Sequence, residues 1–146
     1  MNTKRLGKIG GAWWLAGLLS VGGFGTAFAH HVIVDTDYVV KNKDKPGVVL
    51  VDARAASDYK KGLIPGAVVI GEKGGAVGLR DVNARVLPVK KLEKILGEAG
   101  ITRENEIIVY GAKGDTGPDV VFWILEYLGA GKAKVYHGGF DDWTAG

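Results

Sequence analysis

The chain has 146 residues, of which 19 are Lys or Arg, 16 are Asp or Glu and none is Cys. This length suits one compact domain, and the missing cysteine excludes any mechanism in which this polypeptide supplies a thiolate, a disulfide or a cysteine-bound metal. The formal net charge of +3 would suit an anionic partner, so the position of the charges along the chain has to be examined first.

The N-terminal segment carries the features of a secretory signal peptide. Lys4, Arg5 and Lys8 give it a basic start, residues 12–28 carry no charge, and the segment ends in Ala27-Phe28-Ala29. This pattern predicts a signal peptide over residues 1–29, cleaved after Ala29, and therefore export to the periplasm or the cell exterior. The alternative is a retained membrane anchor, which the shortness of the run and its four glycines disfavour.

Cleavage would also change the charge balance. It would leave 117 of the 146 residues and remove three basic but no acidic residues, so that 16 basic and 16 acidic residues remain. The predicted mature domain, residues 30–146, is therefore formally neutral. Neutrality argues against a nucleic-acid partner and, once the leader is removed, against a membrane partner.

Short apolar runs in this domain predict strands. Turn-forming residues bound each of four such runs, which cover residues 48–51, 67–70, 107–110 and 134–136. None of the four runs alternates strictly between apolar and polar residues, which is typical of strands that are covered on both faces.

Helical spacing separates these strands. Apolar residues three and four positions apart predict helices over 89–99 and 118–128, and a short helix over 55–61 with Tyr59 facing inward. The glycine-rich segment 71–85 predicts a surface loop. Strands that alternate with helices predict a single α/β domain with a mainly parallel sheet flanked by helices.

Several spaced motifs give the domain a resemblance to a known family. They are the strand that ends in Asp52-Ala53-Arg54, Tyr59 followed by Gly62 to Ala67, and Gly138-Gly139-Phe140 followed by Trp143. In this order they resemble the rhodanese-like sulfurtransferase domains, over nearly all of residues 30–146. We interpret the matching residues as structural, with Asp52 and Arg54 as a local ion pair or turn cap. The structural signature is Asp52, Arg54, Tyr59, Pro65, Gly66, Gly138, Gly139 and Trp143.

The resemblance implies that activity in this family resides in the loop after the strand that ends at Tyr110. The family pattern there resembles Tyr-Cys-x-x-Gly-x-Arg-Ser, in which the cysteine carries sulfur as a persulfide from a donor such as thiosulfate. Loop N–H groups and a helix N-terminus stabilise the anion. The matching loop here is Gly111, Ala112, Lys113, Gly114, Asp115, Thr116 and Gly117. Gly111 takes the position of the cysteine, and Thr116 takes a position that is often arginine.

Two interpretations of this loop remain open. It can be a cradle that still binds a small sulfur anion, or a loop that its own carboxylates close. Asp115 and Asp119 favour the second, because carboxylates near a helix N-terminus satisfy its dipole and repel an anion, although Lys113 offsets part of that charge. Since glycine carries no side chain and no cysteine exists elsewhere, we expect no catalytic residue in this chain.

Two functions therefore compete. The first is an exported, non-catalytic module that binds an unknown protein or a second rhodanese-like domain, or has a structural role. The second is the N-terminal half of a tandem thiosulfate sulfurtransferase whose cysteine lies in a second domain outside this chain. Tandem members resemble this chain in lacking the first-domain cysteine and in the helix that carries Trp123.

Metal binding is a third hypothesis. His30 would become the mature N-terminus and, beside His31, could chelate copper or nickel. A mobile terminus explains these residues more simply, so we predict no metal site and no cofactor.

Overall fold

The computed structural model describes residues 31–146. The predicted signal peptide and His30 lie outside the described residues. Five strands form one sheet: β1 Ile33–Val34, β2 Val48–Asp52, β3 Val68–Val69, β4 Glu106–Tyr110 and β5 Ala133–Tyr136. Around it lie α1 Thr36–Asn42, the 3₁₀ helix Ala56–Lys61, α2 Gly75–Gly78, α3 Val89–Glu98, α4 Gly117–Tyr127 and α5 Gly139–Ala145. None of the helices in this part of the chain is long and apolar enough to cross a membrane.

All strand pairs of the sheet are parallel, in the order β1-β5-β4-β2-β3. β2 and β4 form its centre and pair along their whole length, from Val48 opposite Glu106 to Asp52 opposite Tyr110. Their carboxyl ends therefore meet at one edge, where parallel α/β sheets place their functional groups. The prediction of an α/β domain with a parallel sheet is confirmed.

The core lies on both faces of the sheet. Val51, Ile107 and Val109 point to one face, where they pack with buried residues of α3 and α4 such as Leu92 and Ile124. Their neighbours point to the other face and pack with residues that include Val39 of α1. The members on that face are Leu50, Ile108, Tyr110 and Tyr136. Because successive side chains on a strand point in opposite directions, burial of both faces explains why the apolar runs do not alternate.

The structure corrects several sequence-based expectations about elements. The segment 71–85 is not a loop throughout, since it contains α2 and an isolated antiparallel bridge between Arg80 and Val86. β1, α1 and α5 were not predicted, because two to seven residues are too few for a clear hydrophobic period. One signal for α1 was available: Asp35 caps it by accepting a hydrogen bond of 2.9 Å from the Tyr38 N–H.

The start of α2 packs closely against the chain directly after β2, and a substitution at Gly75 tests this packing. Gly75 is buried at φ +37°, and a Cβ there would overlap the backbone carbonyl of Ala53. We expect Gly75→Ala to lower the free energy of unfolding by about 3 kcal/mol, since the overlapping atoms belong to the backbone. Urea unfolding followed by circular dichroism measures this change.

Gly97→Ala is the matched control. Gly97 lies in α3, and no atom outside its own stretch of helix lies within 4 Å of the position that a Cβ would take there. Alanine should therefore raise the free energy of unfolding by about 0.5 to 1 kcal/mol. Equal effects of the two substitutions would contradict this account of the strand end.

Candidate functional site

A buried ion pair lies at the carboxyl end of β2. Asp52 is 0% exposed and Arg54 is 3% exposed. Arg54 Nε donates to both carboxylate oxygens, at 3.0 and 3.1 Å, and Nη2 donates to Oδ2 at 2.5 Å. The Arg54 backbone N–H adds a further hydrogen bond of 2.9 Å to Asp52 Oδ1. Because Arg54 follows Asp52 by two residues at the end of β2, its guanidinium can reach both oxygens of the carboxylate.

Other elements converge on this pair. Tyr110, at the end of β4, donates from its hydroxyl to Asp52 Oδ2 at 2.8 Å, and the same hydroxyl accepts from the Ile64 N–H at 3.1 Å. Arg54 Nη2 donates to the Gly62 carbonyl at 2.7 Å. The guanidinium carbon also lies 3.9 Å from the ring centroid of Phe140 in α5. The network therefore joins the two central strands to the segment after the 3₁₀ helix and to α5.

The titration properties of the network suit structure better than proton transfer. The hydrogen bonds to Asp52 raise the pKa of Arg54, although desolvation acts in the opposite direction. Burial raises the pKa of Tyr110 well above its ordinary value, and the hydrogen bond to Asp52 adds to that rise. Arg54 stays charged and Tyr110 stays neutral near pH 7, so neither group can act as a general base there.

The loop 111–117 follows β4, and three of its backbone N–H groups donate hydrogen bonds within the molecule. Asp115 Oδ1 accepts from the Gly117 N–H at 3.0 Å, and the Asp115 N–H donates to the Ala112 carbonyl at 3.1 Å. The Lys113 N–H donates to Asp141 Oδ2 of α5 at 2.6 Å. These three N–H groups are therefore engaged with acceptors of the protein and are not directed at a shared anion.

The charges around the loop are mostly negative. Lys113 Nζ donates to Asp142 Oδ1 at 2.8 Å, a contact that raises the pKa of the lysine. A cavity of about 160 Å³ beside the loop is lined by two carboxylates, those of Asp115 and Asp119, together with Thr116 and Gly114. The N-cap residue of α4, Thr116, makes no side-chain capping hydrogen bond, whereas Asp115 accepts one from the Gly117 N–H. The geometry favours a loop closed by carboxylates over an open anion cradle.

Gly111 occupies a position with no room for a side chain. A Cβ there would lie 2.6 Å from Pro118 Cγ and 2.9 Å from Pro118 Cδ. The Gly111 carbonyl accepts a hydrogen bond of 2.8 Å from the Phe140 N–H, and a Cβ on Gly139 would lie 2.5 Å from the same carbonyl oxygen. Gly139 meets this close approach with φ +61°, which favours glycine.

The remaining residues of the predicted signature are spread along the chain. Tyr59 is half-buried, and burial raises the pKa of its hydroxyl. Pro65 and Gly66 form an exposed turn before β3. Trp143 of α5 packs beside the core on the Tyr110 face of the sheet. The charges of Asp52 and Arg54 both act on the Tyr59 hydroxyl. The predicted structural roles of these residues stay predictions.

Sequence reasoning missed the part that α5 plays. Asp141 and Asp142 bind the backbone and the side chain of Lys113, and Phe140 covers Arg54. The available signal was a pair of acidic residues directly after Gly138-Gly139, which is typical of the first turn of a helix. Their contacts lie 28 or more residues away along the chain, so no local pattern indicates them.

Comparison with known proteins adds to this geometry. The pattern of the rhodanese-like domain matches residues 35–146 of the chain. The chain belongs to the rhodanese-like domain family. The resemblance seen in the sequence is thereby confirmed. The chain itself contains no cysteine, in agreement with its likeness to an inactive first domain.

Proteins named thiosulfate sulfurtransferase are among the sequence relatives. The protein from Azotobacter vinelandii is 30% identical over 100 residues, which cover 68% of this chain and 37% of that protein. The protein from Pseudomonas aeruginosa is 28% identical over 115 residues, which cover 78% and 42%. The rhodanese-like chain thus spans about two fifths of the length of these relatives.

Solved structures share the rhodanese fold. The 3-mercaptopyruvate sulfotransferase of Escherichia coli superposes with a TM-score of 0.69 at 23% identity, over 79% of this chain and 48% of that one. The anaerobic ergothioneine biosynthesis enzyme of Chlorobium limicola gives a TM-score of 0.68 at 20% identity, over 79% and 30%. At these identities the likeness concerns the fold alone.

The Asp52–Arg54 network gives a stability test. Asp52→Asn would leave a buried guanidinium without its counter-charge, and we expect the free energy of unfolding to fall by about 3 to 5 kcal/mol. Tyr110→Phe removes one hydrogen-bond donor and leaves the Ile64 N–H unpaired, which should cost about 1 to 3 kcal/mol. Chemical denaturation of the original chain and of the two variants measures both losses in the free energy of unfolding.

Asp58→Asn serves as the control. Asp58 pairs with Lys61 on the surface, and this contact lowers the pKa of its carboxyl. Exposed pairs contribute little to stability, so the substitution should leave the free energy of unfolding nearly unchanged. A loss for Asp52→Asn as small as that for Asp58→Asn would refute the central role given to the network.

Proposed function

We propose that this chain is a non-catalytic rhodanese-like module that acts by binding a partner protein. One observation carries the proposal: Gly111 takes the position at which the family resemblance implies the sulfur-carrying cysteine, and Pro118 fills the space that its side chain would need. A persulfide requires a thiol, and the chain contains none.

The electrostatics of the loop support a macromolecular partner over a small sulfur anion. Asp115, Asp119, Asp141 and Asp142 lie in or around the loop, and Lys113 already pairs with one of them. An anion such as thiosulfate would approach several carboxylates and find the Lys113 and Gly117 N–H groups engaged. These two N–H groups could bind the anion only if they gave up the hydrogen bonds that they make in the folded loop.

The direct test is a sulfur-transfer assay. Purified chain, thiosulfate and cyanide should give no thiocyanate above the uncatalysed rate, with the Azotobacter vinelandii relative as the positive control. Thiocyanate production that scales with the concentration of the cysteine-free chain would overturn the proposal.

A cysteine introduced at position 111 tests the closed loop itself. We expect Gly111→Cys to lower the free energy of unfolding by about 1 to 3 kcal/mol, because its Cβ overlaps the ring of Pro118. It should also form no persulfide with thiosulfate, as read by intact-mass spectrometry. Ala112→Cys is the matched control, because Ala112 is exposed in the same loop and should accept the thiol without loss of stability.

The variants distinguish an absent nucleophile from a closed site. A Gly111→Cys protein as stable as the original chain, and active in sulfur transfer, would mean that the loop is a preorganised cradle that lacks only its thiol. The double variant Gly111→Cys/Pro118→Ala removes the overlap and separates the effect of crowding from that of the engaged N–H groups.

A second candidate is the non-catalytic half of a tandem thiosulfate sulfurtransferase. The observation that favours it is that the chain spans about two fifths of the length of its thiosulfate sulfurtransferase relatives. The partner would then be a cysteine-bearing second domain. The coding sequence beyond the codon for Gly146 decides between the candidates, since a continuous reading frame with a second rhodanese-like domain supports the tandem protein and a stop codon removes it.

Export is a further part of the proposal, and it rests on the sequence of residues 1–29. Cleavage after Ala29 would leave His30 as the first residue of a periplasmic or extracellular protein. N-terminal sequencing of protein recovered from the cell fractions tests this, and an intact leader on cytoplasmic protein would contradict it.

A further inference from the structure

The outer face of α4 carries an exposed aromatic pair. Trp123 is 57% exposed and Tyr127 is 60% exposed, and their rings stack with centroids 5.7 Å apart. The opposite face of the same helix is fully packed, since Val121, Ile124 and Leu125 are buried. Core packing therefore explains only one side of α4. Aromatic residues are enriched at the centres of protein–protein interfaces, so an exposed aromatic pair is a candidate contact surface.

Trp123 also forms one wall of a shallow groove of about 380 Å³. The rest of the lining comes from the segment after α2 and from the start of α4: Arg80, Val86, Thr116, Asp119 and Val120. We call this surface the Trp123 groove. Its apolar part consists of Val86, Val120 and Trp123, and its charged part consists of one arginine and one aspartate. The groove lies beside the loop 111–117, and it shares Thr116 and Asp119 with the cavity next to that loop.

Arg80 in this groove has a buried N–H group without a hydrogen-bond acceptor. The residue is half-buried, and its Nε is buried without a hydrogen-bond partner. Within residues 31–146 its guanidinium forms neither an ion pair nor a hydrogen bond. Burial of Nε without an acceptor costs free energy, and a carboxylate that pairs with the guanidinium offsets this cost better than a neutral group does. A carboxylate is therefore the group that this part of the groove lacks.

We propose that the Trp123 groove is the docking site of a partner protein that presents an acidic side chain beside an apolar one. The apolar side chain packs on Val86, Val120 and Trp123, and the carboxylate pairs with Arg80. Tyr127 extends the contact along α4 beyond the groove. This inference rests on the proposed function of the chain as a binding module and names the surface that performs it.

The two charged residues of the groove fix the direction of docking. Asp119 is exposed and repels an acidic side chain, whereas Arg80 attracts it. The acidic side chain of the partner must therefore sit at the Arg80 side. Because Asp119 lies in the same groove, its charge repels the acidic side chain of the partner and lowers the affinity.

Selection from a displayed library of random short peptides tests the proposal on the full chain. We expect the enriched peptides to carry Asp or Glu next to a large aliphatic or aromatic residue. Arg80→Gln and Trp123→Ala should each weaken the binding of an enriched peptide about tenfold, and Asp119→Asn should strengthen it a few-fold. Fluorescence anisotropy of the labelled peptide measures the dissociation constants.

Arg103→Gln is the matched control for Arg80→Gln. Arg103 lies outside the groove and pairs with Glu93 on the surface, so its loss should leave peptide binding unchanged. Replacement of the acidic residue of the peptide by its amide completes a double-mutant cycle. It should weaken binding to the original chain but have no further effect on Arg80→Gln.

Several outcomes would overturn the docking site. They are the absence of any acidic and apolar consensus, binding that survives Trp123→Ala, and an equal effect of the peptide amide on the original chain and on Arg80→Gln. These failures are separate from failure of the proposed function, which is read from thiocyanate production. If the chain transfers no sulfur and does not bind at this groove, the proposal that it is non-catalytic stands and the proposed docking site is wrong.

Discussion

The fold depends on a buried ion pair at the carboxyl ends of its two central strands. Asp52 and Arg54 are both removed from water, and such a pair is tolerated only when hydrogen bonds satisfy its remaining donors and acceptors. Tyr110 and the Gly62 carbonyl supply those bonds, and the ring of Phe140 covers the guanidinium. Through these contacts one charge pair holds together β2, β4, the segment before β3 and α5.

This clamp determines what the neighbouring loop can do. Because Phe140 is held against Arg54, α5 lies directly over the loop 111–117, where its Phe140 N–H bonds the Gly111 carbonyl and its Asp141 bonds the Lys113 N–H. This edge of the sheet commonly holds a ligand in α/β domains, and here α5 packs against it. Arg80 Nε is buried without a hydrogen-bond partner, and an exposed aromatic pair lies on the outer face of α4.

Much of the fold follows from local sequence pattern, and much of the site does not. Apolar runs and helical spacing predicted β2, β4, β5, α3 and α4 within a residue or two, because each buries enough side chains to leave a period. The short elements β1, α1, α2 and α5 leave no such period. The Asp-x-Arg spacing predicted a local ion pair, but Tyr110 and Phe140 approach it from 58 and 86 residues along the chain.

By itself, the sequence determined the class of the fold, the lack of any thiol and the glycine at position 111, since these are properties of composition and local order. Only the tertiary structure decided that Pro118 takes the space beside Gly111 and that Asp141 accepts a hydrogen bond from the Lys113 N–H. It also decided that Arg80 has no counter-charge within residues 31–146 and that Trp123 faces outward. Each of these depends on which distant residues meet once the sheet has formed. Such contacts are set by the packing of whole elements, which no local pattern encodes.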